Sequence, residues 1–284
     1  MLAKKIERFP SRIVVELTPV CNLSCAMCPR HYVEGSNDFI DKFLFKKLVD
    51  EIVRERPDAI LLPFWRGESC MHPDFIELMN YALDRSLQIH LSTNGHYMSN
   101  EYKEVFYRCN FLTFSIHTQI GYQNAHEFVS KKPDGSLVVT QISFVEGEKS
   151  VGRYLNDCIT DPLLKGFDSI RLYAQHTVDG VFGKSKITVN KQRTFCPKLE
   201  HTFIVAADGS FSRCNHIWLT ENEHNLSLST ISDVWNSERM FHIRKLYPDE
   251  QCAHCDQWSG HTNGESWSIN AFGDIEHFLW SVDA

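Results

Sequence analysis

Six short apolar runs, separated by stretches with helical periodicity, constrain this chain more than any other feature. Ile13–Leu17, Ala59–Phe64, Gln88–Ser92, Phe111–Ile116, Leu137–Phe144 and Ser169–Ala174 read as strands. Helix-like segments fall near 39–54, 74–86, 99–107, 119–128 and 147–158. Alternating strands and helices predict a parallel sheet. Six such units predict an α/β fold, a partial (β/α)6 TIM-like barrel whose chemistry sits at the C-terminal ends of the strands.

Beyond Gly183 the pattern changes. Thr202–Ala206, the turn Asp208-Gly209 and Phe211–Cys214 predict a β-hairpin, because Asp-Gly supplies the positive φ that a tight turn needs. A helix is predicted from about Ile231 to Leu246, with Ser232 or Asp233 as its N-cap. The stretch Val181–Lys191 reads as a linker. The expected domains are therefore a barrel over 1–184 and a small hairpin-plus-helix domain over 185–284.

The net charge of −7 and the lack of a basic run argue against nucleic acid, since phosphate binding needs clustered Lys and Arg. A small molecule or a peptide is the expected substrate. No run reaches the roughly 18 apolar residues of a membrane helix, and Met1-Leu2-Ala3-Lys4-Lys5 enters charge without a secretory apolar stretch. The expected location is cytoplasmic, with no membrane partner. In a reducing compartment the ten cysteines read as metal ligands or reactive thiols before they read as disulfides.

Two cysteine sets stand out. Cys21, Cys25 and Cys28 form CxxxCxxC directly after the first predicted strand, at the active end of a barrel. Three thiolates can hold three irons of a [4Fe-4S] cluster and leave the fourth open, whereas a closed zinc site normally takes four ligands. Cys196, Cys214, Cys252 and Cys255 form a four-thiolate set that suits either a complete [4Fe-4S] cluster or a structural zinc, and spacing alone does not choose.

On these residues the chain resembles the radical S-adenosylmethionine (SAM) superfamily, whose mark is CxxxCxxC on the loop after strand one. Arg66-Gly67-Glu68 is similar to the family's Gly-Gly-Glu motif, with Arg66 in place of the first glycine. The resemblance implies that Glu68 receives the SAM amino group. Ser92-Thr93-Asn94-Gly95 is similar to the Thr-Asn-Gly stretch, Ser115 falls where a SAM-contacting polar residue is common, and Met27 replaces the usual aromatic residue near adenine. The Gly-x-Ile-x-Gly pattern often seen on strand five is missing. Cys196-Pro197, the hairpin, Ile231–Asn236 and Cys252-Ala253-His254-Cys255 resemble a twitch domain, the shortened form of the SPASM domain. That implies an auxiliary [4Fe-4S] cluster, hence two clusters, SAM, and an electron donor such as flavodoxin or ferredoxin.

The chemistry implied is reductive cleavage of SAM to a 5'-deoxyadenosyl radical that takes a hydrogen atom from substrate. The functional parallel is with aminocyclitol dehydrogenases of antibiotic biosynthesis, in which a carbinol becomes a ketone and the auxiliary cluster accepts an electron. Such an oxidation needs a base, and His117, or His176 beside Gln175, is the candidate. The competing reading is an epimerase or peptide-modifying (RiPP) enzyme. An epimerase needs a thiol hydrogen donor, for which Cys70 is the candidate on the active side, Cys109 lying at the inert end and Cys158 ending a helix. A zinc-stabilised binding module is the third class, disfavoured by the barrel pattern.

Overall fold

A computed structural model describes residues 8–31, 38–145, 154, 166–173, 196, 198–221, 223–245, 252, 265–270 and 275–279. Its strands are β1 (Arg12–Val15), β2 (Ile60–Leu62), β3 (Gln88–Thr93), β4 (Phe111–Ser115), β5 (Val139–Val145), β6 (Ser169–Tyr173), β7 (Thr202–Val205), β8 (Phe211–Ser212), β9 (Glu265–Asn270) and β10 (Ile275–Leu279). They form one sheet in the order β10-β9-β6-β5-β4-β3-β2-β1-β7-β8. From β7 through β6 every neighbouring pair is parallel. The helices are α1 (Lys42–Glu55), α2 (Phe75–Leu83), α3 (Asn100–Arg108), α4 (Gln119–Ser130), α5 (Lys198–His201), α6 (Ile231–Trp235) and α7 (Glu238–Lys245). The partial (β/α) barrel anticipated from periodicity is the observed architecture.

Period-two alternation separates the two faces of the sheet. Leu61, Ile89, Leu91, Leu112, Phe114, Ile142, Phe144 and Ile170 join the helices in the main core, where Leu44, Leu48 and Ile52 of α1 and Phe75, Leu78 and Met79 of α2 are also buried. The opposite, inner face differs from one side to the other. Val14, Leu62 and Ile204 make it apolar over β1, β2 and β7. Across β4, β5 and β6 it turns polar, because Thr113 lies abreast of Gln141 and Ser169, and Ser115 abreast of Ser143 and Arg171.

The C-terminal hairpin is built onto the barrel rather than beside it. Strand β7 runs parallel to β1, Arg12 to Val15 facing Thr202 to Val205, and Phe203, Phe211, Trp235 and Met240 share the main core. Its turn is a three-residue loop in which Gly209 alone has positive φ, at 81°, closed by Ala206 N–H to the Ser210 carbonyl. The single helix predicted over 231–246 is two. Asn236 ends α6, and Ser237 Oγ accepts from Met240 N–H to start α7. The cap of α6 is Thr230, not Ser232 or Asp233, and Asp233 instead closes a capping box with it. Glu51, buried in α1, accepts from the N–H groups of Ile231 and Ser232 and so ties α6 to the barrel. Of the two strands that periodicity left unassigned, β9 pairs antiparallel with β6 and β10 pairs antiparallel with β9. Most of the helix expected over 147–158, Cys158 with it, and the linker with its boundary at 184 lie outside the described residues.

Candidate active site

At the C-terminal end of β1 the chain turns into the Cys21 loop, and three neighbouring segments hold that loop. Thr18 Oγ1 donates to the Asp38 carbonyl, and Arg30 Nη2 donates to the Leu23 carbonyl at 2.8 Å. Gly67 lies under the loop so closely that a Cβ there would stand 2.3 Å from the Thr18 carbonyl oxygen and 2.4 Å from that of Val20. Only glycine fits. Glu68 N–H then donates to the Val20 carbonyl at 2.8 Å, one residue before Cys21.

Glu68 is 3% exposed. Its carboxylate accepts from Asn94 N–H at 2.7 Å, Thr93 Oγ1 at 3.0 Å and Cys70 N–H at 3.2 Å. Burial pushes its pKa above the ordinary carboxylate value, against the lowering effect of those donors. The Asn94 side chain donates to Asn22 Oδ1 at 2.8 Å and lies 3.9 Å from Cys21 Sγ. The cysteine loop, the end of β2 and the end of β3 therefore meet in one polar cluster.

The three thiols fit a cluster by their chemistry. Burial raises the Cys21 thiol above its usual value, while a nearby Arg30 and the Leu23 N–H favour the thiolate. An iron ion would supply the missing positive charge. Among the described residues no three His, Cys, Asp or Glu side chains converge on the position of a single ion. Thiolates serving three different irons have no such requirement.

Arg66 is engaged elsewhere. Its guanidinium makes a two-pronged pair with Glu16, Nε at 2.7 Å and Nη2 at 2.6 Å, and stacks on Trp65 with 4.3 Å to the ring centre. Glu16 is fully buried and also accepts from the N–H groups of Arg66 and Ala207. Glu16 escaped sequence reading because a carboxylate inside Ile13–Leu17 looks like a break in an apolar strand. Asn22, Trp65 and Arg171 were missed as well, and only the register of β5 with β6 puts Arg171 on the polar inner face.

Ser115 Oγ and His117 Nε2 are 3.1 Å apart at the end of β4, and Ser92 is half-buried on β3. Met27 lies in the turn between Cys25 and Cys28, whose ends are joined by Cys28 N–H to the Cys25 carbonyl. Cys70, the thiol expected on the active side, lies against Glu68 and Thr93. It is 1% exposed within the main core, and burial next to Glu68 holds its thiol well above the usual value. Cys109 is buried, and burial pushes its thiol up to about 12. His176 and Gln175 lie outside the described residues.

In the second set, Cys196 is buried, and Cys214 and Cys252 are half-buried; Cys255 lies outside the described residues. Cys214 is close enough to Cys196 and Lys198 for both charges to act on it, and burial raises its thiol. Lys198 Nζ meets His216 Nε2 at 2.6 Å beside it.

Residues 196–256 match SPASM, an iron-sulfur cluster-binding domain. Over 90 residues the chain is 30% identical to the tungsten-containing aldehyde ferredoxin oxidoreductase cofactor-modifying protein of Pyrococcus furiosus, an alignment spanning 31% of this chain and 25% of that protein. Among solved structures the fold is similar to BtrN in complex with AdoMet and 2-DOIA, with a TM-score of 0.65 at 15% identity over 88% of this chain and 94% of that one. It is also similar to Streptococcus suis SuiB bound to precursor peptide SuiA, with a TM-score of 0.64 at 12% identity over 88% of this chain and 70% of that one. Residues 196–256, which hold the second cysteine set, are thus similar to SPASM iron-sulfur cluster-binding domains, and the chain shares the fold of BtrN and SuiB, with CxxxCxxC following β1.

Proposed function

We propose that this enzyme oxidises a hydroxylated small molecule, such as an aminocyclitol or sugar, by two electrons. The observation that carries the reading is the polar cluster in which Glu68 and Asn94 meet the Cys21 loop at the C-terminal edge of a sheet whose inner face is polar over β4 to β6. Cys21, Cys25 and Cys28 would hold one [4Fe-4S] cluster, and Cys196, Cys214, Cys252 and Cys255 a second. When bound, the first cluster supplies the electron that cleaves SAM to a 5'-deoxyadenosyl radical able to take a hydrogen atom from substrate.

The chain's own groups do the rest. Glu68 receives the SAM ammonium group, and Asn94 holds the cysteine loop in place through Asn22. Gly67 lets that loop pack down, while Ser92 and Ser115 offer hydroxyls beside SAM. Ser115 orients His117, which accepts the hydroxyl proton; His176 is the alternative base. Arg66 positions the Gly67-Glu68 segment through Glu16 instead of touching SAM with its side chain. The organisation into 1–184 and 185–284 and the cytoplasmic setting belong to the same reading, with a flavodoxin or ferredoxin as donor. Among the described residues no helix is long and apolar enough to cross a membrane.

The buried Cys70 disfavours epimerisation, because a quenching thiol must reach the substrate radical. Modification of a peptide is the second reading, favoured by the likeness to SuiB with its bound precursor peptide. The test takes a substrate identified by deuterium transfer into 5'-deoxyadenosine and incubates it with enzyme in deuterated water. A product two mass units lighter, with no solvent deuterium on the reacting carbon, is expected. An isobaric stereoisomer with one carbon-bound deuterium overturns the oxidation.

A further inference from the structure

Arg30 stands just past the CxxxCxxC loop, yet its side chain comes back across that loop. Cys28 is followed by a single 3-10 turn, Pro29–His31, in which Pro29 is buried and His31 N–H donates to the Cys28 carbonyl at 3.4 Å. From this turn Arg30 Nη2 donates to the Leu23 carbonyl at 2.8 Å, and Leu23 N–H donates to Cys21 Sγ at 3.5 Å. One guanidinium therefore ties the end of the cysteine loop to its beginning and reaches the first sulfur by way of Leu23.

That contact does not use up its donors. Arg30 Nε is closed to solvent and meets no acceptor among the described residues. A buried N–H on a cation is costly to leave unpaired, so the acceptor is expected to arrive with the group that the loop binds. Of the charged groups that act on the Cys21 thiol, Glu68 and Cys28 disfavour the thiolate, whereas Arg30 favours it. Three thiolates and the sulfides of a cluster bring both negative charge and acceptors into the loop. Net charge and hydrogen bonds to sulfur are among the factors that set the potential of an iron-sulfur cluster.

We propose that Arg30 is a positioning residue for the first cluster. Hooked on the Leu23 carbonyl, it holds the cysteine loop in its ligating shape and fixes a positive charge beside the sulfurs, which favours the reduced, more negative state of the cluster. This rests on the reading of Cys21, Cys25 and Cys28 as cluster ligands. It gives a role to a residue outside the CxxxCxxC pattern: the ease with which an electron enters the cluster that cleaves SAM depends on the side chain two places beyond the last cysteine.

The test compares full-length wild type, Arg30→Met and Arg30→Lys. The first cluster's electron paramagnetic resonance signal is the part missing from a chain with Cys21→Ala, Cys25→Ala and Cys28→Ala, and a redox titration gives its midpoint potential. Arg30→Met should move that potential to a more negative value, and Arg30→Lys, which keeps the charge, should restore most of the difference. A potential unchanged in Arg30→Met, or moved equally in both variants, overturns the proposal. Should Arg30→Met bind no iron at this set, iron regained in Arg30→Lys supports the proposal, and iron absent from both overturns it. Hydrogen exchange of metal-free wild-type and Arg30→Met chains forms a second arm, in which the Leu23 amide should exchange about two- to tenfold faster, the range for one lost hydrogen bond. A wild-type chain without the signal removes the cluster reading of the three cysteines by itself. The exchange arm then decides the hold on the loop, and unchanged Leu23 exchange overturns it.

Discussion

Glu68 accepts a 2.7 Å hydrogen bond from the backbone N–H of Asn94, 26 residues away along the chain. That bond joins the ends of β2 and β3, and the Asn94 side chain carries the connection on to Asn22 in the cysteine loop. Two short motifs, each weak as a sequence signal, become one structural unit.

Replacing Glu68 with alanine removes the carboxylate proposed to receive the SAM ammonium group, a charge-assisted bond of about 1.5 to 3 kcal/mol, or one to two decades in affinity. Iron bound at Cys21, Cys25 and Cys28 should be retained. Equilibrium binding of SAM to the reconstituted enzyme checks this, and an unaltered dissociation constant removes Glu68 from the SAM site.

Gly67→Ala acts on the loop instead. A methyl group would meet the Thr18 and Val20 carbonyls at 2.3 and 2.4 Å, so the loop must lift. Iron content at the first set should fall and SAM cleavage with it, while the second set keeps its iron. Iron analysis of this variant beside the triple Cys21, Cys25 and Cys28 alanine variant decides it; full loading of both sets would mean that the loop is not fixed by this contact.

The barrel was legible because each strand carries its own apolar run and each helix its own period. The first cysteine set could be read as a unit because its three cysteines fall within eight residues of one another. What escaped depends on distance along the chain. Glu16 and Arg66 are 50 residues apart, and β9 pairs with β6 across about 100 residues, Ser169 facing Asn270. Local periodicity contains no term for such partners. Burial is likewise absent from sequence order, which puts Cys70 beside Glu68 but does not show that packing closes it to solvent.

The Glu16–Arg66 pair is nearly closed to solvent, with side chains 0% and 9% exposed. Arg66→Met strands the carboxylate and should cost about 3 to 5 kcal/mol. Adding Glu16→Gln removes the stranded charge while keeping an oxygen for the Arg66 or Ala207 N–H, so the double variant should be more stable than Arg66→Met alone. Urea denaturation of the wild type, Arg66→Met, Glu16→Gln and the double variant measures this, and simple additivity would deny the coupling.

Thr230→Ala should lower stability by about 1 kcal/mol, the usual worth of an N-cap, whereas Ser232→Ala should change little. The apolar period alone points to Ser232 or Asp233, whereas the Thr-x-x-Asp signature of a capping box points to Thr230. Equal losses at 230 and 232 would return the cap to Ser232.

The last prediction follows from the raised pKa of Glu68 in the SAM-free chain. Burial favours the neutral acid, so the folded chain holds this proton more tightly than the unfolded chain does. The resulting stabilisation is complete below the unfolded carboxylate pKa, about 4.3, and is lost as pH rises through the higher folded value. Glu68→Gln cannot lose a proton. The acceptor oxygen it gives up is a constant offset at every pH. In metal-free protein the stability of Glu68→Gln minus that of wild type should therefore rise as pH climbs past the unfolded carboxylate value and level off above the raised folded one. Denaturation at a series of pH values measures the difference, and a difference that is flat or falls with pH would mean that the carboxylate is ionised in the folded chain without cost. SAM should reverse the balance, because its ammonium group favours the ionised carboxylate: binding should release a proton, visible as a dependence of the binding heat on the buffer, and Glu68→Gln should abolish that release.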